Sequence, residues 1–142
     1  MSVQPILKSP PRAGRRSFQR LMRITLTLQS LTILVQAVTA GLLLASVPDG
    51  RAVHSMLAGA VLLCVLLNLG VAILAWRPGG GSPRLILKSI PMLLFTLVQM
   101  ALGYARVREL HVPIGVLMFG ASTMLLIQAW NGDRPARDGE AS

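Results

Sequence analysis

The sequence predicts an all-α integral membrane protein, a four-helix bundle made of two tandem helical hairpins, and three observations carry that prediction. Hydrophobic residues make up 53% of the 142 and charged residues only 13%, with a mean hydropathy of +0.62. Residues 24–48, 52–76, 89–105 and 110–132 contain no Asp, Glu, Lys or Arg. Short residue patterns in the first half recur in the same order in the second. A helix needs about 20 mainly apolar residues to cross a hydrocarbon core of roughly 30 Å, so three of the charge-free segments suffice as they stand. The third gains Leu85, Ile86 and Leu87, because a lysine such as Lys88 near a helix end can snorkel toward the headgroups. The expected spans are therefore 24–48, 52–76, 85–105 and 110–132, forming a bundle over 24–132. A basic segment, 1–23, expected to be disordered, precedes it, and a polar tail, 133–142, follows.

The first span is too long for the 7–15 apolar residues of a signal peptide, and no small-x-small site precedes Asp49, so it is expected to remain as helix one. Thr25, Gln29, Thr32, Gln36 and Ala40 form a polar and small stripe along it. Ala37, Gly41 and Ala45 form a small-xxx-small ridge, expected as a packing seam, with a dimer face as the alternative. Asp49-Gly50 is a turn signal. On helix two, at 100° per residue, Ala58, Val61, Val65, Asn68 and Ala72 lie within about 40° of His54. Cys64 lies about 80° away and reads as a buried small hydrophobe. Pro91 either begins the spanning part of helix three or kinks a longer helix that starts near Ser82. Pro113 suits the first turn of helix four, where His111 shares its face with Gly115, Met118, Ser122, Leu125 and Ala129. Polar and small residues in a membrane helix face protein rather than lipid, so both histidines are expected to point into the bundle. Met118 and Met124 read as gap fillers.

The fourteen basic residues against five acidic ones give a formal charge of +9, which in a soluble chain would suggest nucleic acid. Location removes that reading. Eleven of the fourteen lie before helix one, between helices two and three, or after helix four. Only Arg51, Arg106 and Arg108 lie at the other ends. The positive-inside rule then places both termini and the Gly79-Gly80-Gly81 loop in the cytoplasm, with the protein in the plasma membrane and its basic tail attracted to anionic headgroups. The expected partners are the lipid bilayer and either a second copy or a larger membrane complex, not nucleic acid.

The recurring patterns are specific in position. Leu34-Val35-Gln36 precedes Gly41, and Leu97-Val98-Gln99 precedes Gly103. After each turn comes Arg, two residues, then His: Arg51 and His54, then Arg108 and His111. Ala58 and Gly115 follow the histidines at the same spacing, and both second helices end in Ala-Trp, at Trp76 and Trp130. Such self-similarity reads as an internal repeat with its pseudo-axis along the membrane normal. His54 and His111, the only histidines, are then candidates for axial ligands to a b-type haem, since bundle cores hold cofactors by side chains on facing helices. Ala58 and Gly115 would leave room for the macrocycle, and Arg51 and Arg108 could pair with its propionates. Gln36 and Gln99 read first as interhelical hydrogen bonds worth about 1 kcal/mol each, with contact to a quinone or haem edge as the alternative.

This pattern of Gln, Gly, outer turn and inward His resembles one four-helix half of haem A synthase. It is less closely similar to small four-helix membrane proteins of actinobacterial type. The resemblance covers Leu28 to Trp130 and implies that His54 and His111 correspond to that family's paired haem ligands. The chain departs from the family in having a single half, no inward acidic residue and no pair of outer-loop cysteines. The resemblance therefore implies a haem-binding half without the oxidative chemistry.

Several classes of chemistry lack their residues. One cysteine, Cys64, excludes an internal disulfide and multi-cysteine metal sites. No paired carboxylates, nucleophile triad or Walker loop occurs, and no carboxylate falls within the spans to couple transport to protons. The expectation is a protein that is not an enzyme: either a haem-binding electron carrier or haem-handling accessory, or a non-catalytic structural or assembly subunit with no cofactor.

Overall fold

The computed structural model describes residues 12–77 and 82–131, which form four α-helices. They are α1 (Arg12–Leu44), α2 (Gly50–Trp76), α3 (Arg84–Tyr104) and α4 (Arg108–Asn131). All four are long and apolar enough to cross a membrane, and the protein is a multi-pass membrane protein. The glycine loop and the polar C-terminal tail lie outside the described residues.

Helix α1 corrects one expectation. It starts at Arg12, so residues 12–23, expected to be disordered, are helical. No proline interrupts the chain between Arg12 and Leu44, and arginine and glutamine are good helix formers. The charge-free stretch marked the part of the helix suited to hydrocarbon, not the helix itself. At 1.5 Å per residue its 33 residues reach about 50 Å, so its basic N-terminal turns project past the apolar layer. Pro91 lies inside α3, which decides between the two readings of that residue. Pro113 also lies inside its helix, past the first turn that had been expected for it.

The two tight turns have the same closure. In the first, the Val47 amide donates to the Leu42 carbonyl and the Ser46 amide to that of Leu43. In the second, Val107 donates to Leu102 and Arg106 to Gly103. These are Schellman motifs, and the residue in the left-handed conformation is Ser46 (φ 57°) in one and Arg106 (φ 60°) in the other.

The helices stand in a square. α1 and α3 each pack on both α2 and α4, while the backbones of the diagonal pairs do not approach. Four layers stack along the axis. At the end carrying Trp76 and Trp130, here the Trp end, Met22, Leu26 and Ala72 are buried together. Next comes a polar layer: Gln29 Nε2 donates to Ser122 Oγ at 3.0 Å, Ser30 and Ser122 share a 2.8 Å bond, and Thr25 donates to Asn68 Oδ1 at 3.2 Å. With no water in hydrocarbon, these groups must find partners within the protein, and the bonds between helices fix how α1, α2 and α4 face each other. Above it Ile33, Val61, Val65, Met92 and Met118 form an apolar layer. The fourth layer holds the histidines, at what is here the His end.

The faces read from helical spacing are the buried ones. Val61, Val65, Asn68 and Ala72 of α2 are buried, as are Met118 and Ser122 of α4. The small-residue ridge is not a seam within the bundle. Ala37, Gly41 and Ala45 are exposed, and no atom lies within 4 Å of where a Cβ on Gly41 would sit. Cys64 is half-buried rather than buried, and Met124 is 66% exposed and fills no gap. Large apolar side chains such as Leu31, Val38, Leu63 and Val116 also face outward, as lipid contact requires.

Candidate functional site

Across the diagonal of the square, α2 and α4 bring His54 and His111 together, with ring centroids 6.1 Å apart and planes at 65°. Each imidazole is held by the other helix of its own hairpin. Gln36 of α1 donates from Nε2 to the His54 carbonyl at 3.0 Å, and Gln99 of α3 donates likewise to the His111 carbonyl at 2.8 Å. Both glutamines thus make the interhelical bonds expected of them, and the acceptor is the histidine backbone itself.

The ring nitrogens can be assigned from their neighbours. His111 Nδ1 lies 3.0 Å from the carbonyl oxygen of Gln99, which can only accept, so Nδ1 carries the proton and Nε2 keeps its lone pair. Around His54, the Thr39 hydroxyl donates to the Gln36 carbonyl at 3.0 Å and lies 3.1 Å from Nδ1. With its single proton so used, Thr39 accepts from Nδ1–H. The Gln36 amide, 3.3 Å from Nε2, donates to the lone pair there. Both imidazoles are therefore protonated on Nδ1, the form in which Nε2 can bind a metal and a partner on Nδ1 orients the ring.

The glutamines are not fully satisfied. Gln36 Oε1 and Gln99 Oε1 are buried without hydrogen-bond partners, each at a cost of about 1–3 kcal/mol. Exchanging O and N in either amide would set oxygen against the histidine carbonyl oxygen, so the assignment stands. Gly115 permits this placement in the second hairpin: a Cβ there would lie 2.8 Å from Gln99 Nε2. The space above Gly115, expected to admit a macrocycle, is therefore occupied by the Gln99 amide. Gly103 closes the other side of the His111 ring, where a Cβ would come within 3.2 Å of Cε1.

A cavity of about 760 Å³ opens at the His end, and both histidines line it. Arg51 and Arg108 line it too, as does Arg106, which spacing relative to the histidines had not singled out. Only its left-handed conformation, a property of the turn, brings Arg106 to the rim. The six expected site residues thus divide clearly. His54, His111, Arg51 and Arg108 share the cavity, while Gln36 and Gln99 hold the histidines from α1 and α3.

Two imidazole nitrogens that held one metal between them, each at ~2.0–2.1 Å, would need their rings within a few ångströms of each other. The rings of His54 and His111 are that close, at 6.1 Å between centroids, both Nδ1 atoms carry the proton, and Arg51, Arg106 and Arg108 line the same cavity together with the Asp49 carboxylate. Against this, the Gln36 amide caps Nε2 of His54, so ligation there must replace that hydrogen bond. No group of three or more His, Cys, Asp or Glu that could hold a metal occurs among the described residues, leaving the histidine pair as the ligand set to consider. Comparison with known proteins adds no relative: no family model matches the chain, and no curated protein or solved structure is significantly similar to it.

Proposed function

We propose that this membrane protein binds one b-type haem at its His end, with His54 and His111 as axial ligands. The observation that carries the proposal is the diagonal histidine pair, 6.1 Å apart, with both Nδ1 atoms occupied by oxygen acceptors. Haem with two imidazole ligands supplies one-electron transfer. The chain's own residues do the rest. Gln36 and Gln99 set the height of each histidine, Thr39 and the Gln99 carbonyl orient the rings, and Arg51, Arg106 and Arg108 would receive the propionates through charge-assisted hydrogen bonds. On this reading the two hairpins are copies of one ancestral unit, and the resemblance to half of a haem A synthase reflects the same use of paired histidines. The termini are cytoplasmic and the histidines lie near the outer surface. The function is electron transfer or haem handling, without catalysis.

A cofactor-free structural or assembly subunit is the second reading. It is favoured by the hydrogen bonding of the histidines within their own hairpins, in which the Gln36 amide already occupies Nε2 of His54. An absorption spectrum separates the two. Protein expressed with ample haem and purified in mild detergent is expected to show a Soret band at one haem per chain, lost in the His54→Ala, His111→Ala double variant. Haem far below stoichiometry, or full retention in the double variant, would leave the subunit reading standing.

A further inference from the structure

The opposite end of the bundle carries a second cavity, of about 880 Å³, with different chemistry. Arg16 and Arg20 are one turn apart on α1, and Arg23 follows at the next helical repeat, so all three lie on one face. Ile24 and Leu28 continue this wall toward the apolar layer, and Trp130 of α4 forms the facing side. Arg16 and Arg20 are exposed, and Ile24 and Leu28 are 48% and 47% exposed. Arg23 has a different task. Its Nε donates to the Ala129 carbonyl at 3.0 Å and its guanidinium stacks 4.8 Å from the Trp130 ring centroid. It thereby caps the last turn of α4 and fixes the indole as the far wall.

We propose that this groove binds an anionic phospholipid, with the phosphate on Arg16 and Arg20 and an acyl chain along Ile24 and Leu28. Charge complementarity and the change from cationic to apolar along a single wall select the occupant. Among the described residues none that lines the groove is acidic, and the phosphate is assigned to Arg16 and Arg20 rather than to Arg23, which is engaged with α4. Guanidinium groups favour phosphate. The arginines precede the charge-free stretch that starts at Ile24, which puts them at headgroup depth while Ile24 and Leu28 reach acyl depth. A soluble phosphate would satisfy the arginines and leave the apolar wall unused. This site is independent of the histidine pair.

Fluorescence quenching tests the proposal. In a Trp76→Phe background Trp130 is the sole tryptophan, and the protein is reconstituted with brominated phosphatidylglycerol or brominated phosphatidylcholine at equal mole fraction. Phosphatidylglycerol is expected to quench Trp130 more steeply by a factor of about five, roughly what one arginine near an anionic surface supplies. In Arg16→Gln, Arg20→Gln the two lipids should quench alike, with helix content and unquenched emission unchanged as the check on folding. Arg77→Gln, at the end of the neighbouring helix α2, should keep the preference. Equal quenching in the unaltered groove overturns the proposal, as does a preference that survives the double substitution. A preference that falls equally in Arg77→Gln would mean diffuse surface attraction and also overturn it. So would a preference that emerges only after deletion of residues 133–142, since the chain's own polar tail, with Asp133, Asp138 and Glu140, would then be the occupant.

Discussion

Eighteen residues separate Gln36 from His54, whereas twelve separate Gln99 from His111, yet each pair makes the same bond from glutamine amide to histidine carbonyl. The difference divides evenly about the two turns. From glutamine to the left-handed residue the chain runs ten residues in the first hairpin and seven in the second; from there to histidine it runs eight and five. On α1 the three extra residues all lie within the helix and are close to one helical turn of 3.6, so Gln36 keeps its facing direction while the turn rises higher. On the second side the extra chain is mostly in the turn, where Pro48 and Asp49 have no counterpart, and only one residue is added between the helix start and the histidine. Below the turns the hairpins differ more in chemistry. Thr39 accepts from the His54 ring where the second hairpin uses the Gln99 backbone carbonyl, and Ala58 stands where the second hairpin has Gly115.

That last difference gives the largest expected effect on stability. Gly115→Ala would press a Cβ against the Gln99 amide and break its bond to His111, leaving buried polar groups unpaired at about 1–3 kcal/mol, offset by about 1 kcal/mol of helix propensity, a net loss of up to about 2 kcal/mol in detergent. Ala58→Gly in the first hairpin should cost at most about 1 kcal/mol, the helix-propensity difference. Thermal melts followed by circular dichroism compare them, and equal losses would show that the two positions are interchangeable. Next in size is Thr39→Val, which leaves His54 Nδ1–H without its acceptor and should cost about 1 kcal/mol. In haem-loaded protein it should also broaden or shift the low-spin spectrum through a freed ring, whereas Leu97→Ala, on an exposed face of the second hairpin, should leave the spectrum unchanged. An unaltered spectrum in Thr39→Val would mean that the hydroxyl does not orient His54.

The smallest effect concerns the turns. Left-handed backbone costs a non-glycine residue roughly 1–2 kcal/mol, partly offset by glycine's greater entropy when unfolded. Arg106→Gly and Ser46→Gly should therefore each stabilise the protein by about 0.5 kcal/mol. Only Arg106→Gly should weaken haem retention, because it alone removes a cation from the cavity rim. Equal retention in the two variants would remove Arg106 from the propionate assignment.

Much of this architecture was legible from spacing. The inward face from His54 through Asn68 to Ala72 follows from 100° per residue and the cost of polar groups in hydrocarbon, and both terms act locally. The ridge at Ala37, Gly41 and Ala45 is not the seam within the bundle that was expected, because small residues permit a close approach without requiring one; the dimer-face alternative is untouched by its exposure. The start of α1 was missed because hydropathy reports what surrounds a helix rather than where it begins. Arg106 escaped notice because its position depends on turn closure, which spacing from the histidines does not encode. The glutamines were foreseen as bonding between helices, but their acceptor, the carbonyl of the histidine beside the next helix, depends on the register of two helices at once.

The stacking of the layers has a consequence for permeation. Water that enters the His end meets the paired imidazoles and then a plug of Ile33, Val61, Val65, Met92 and Met118, with Val65 only 1% exposed. The hydrophilic Gln29, Asn68 and Ser122 below that plug belong to a sealed compartment rather than to a conduit. A single copy of this bundle should therefore hold a membrane potential without leaking ions.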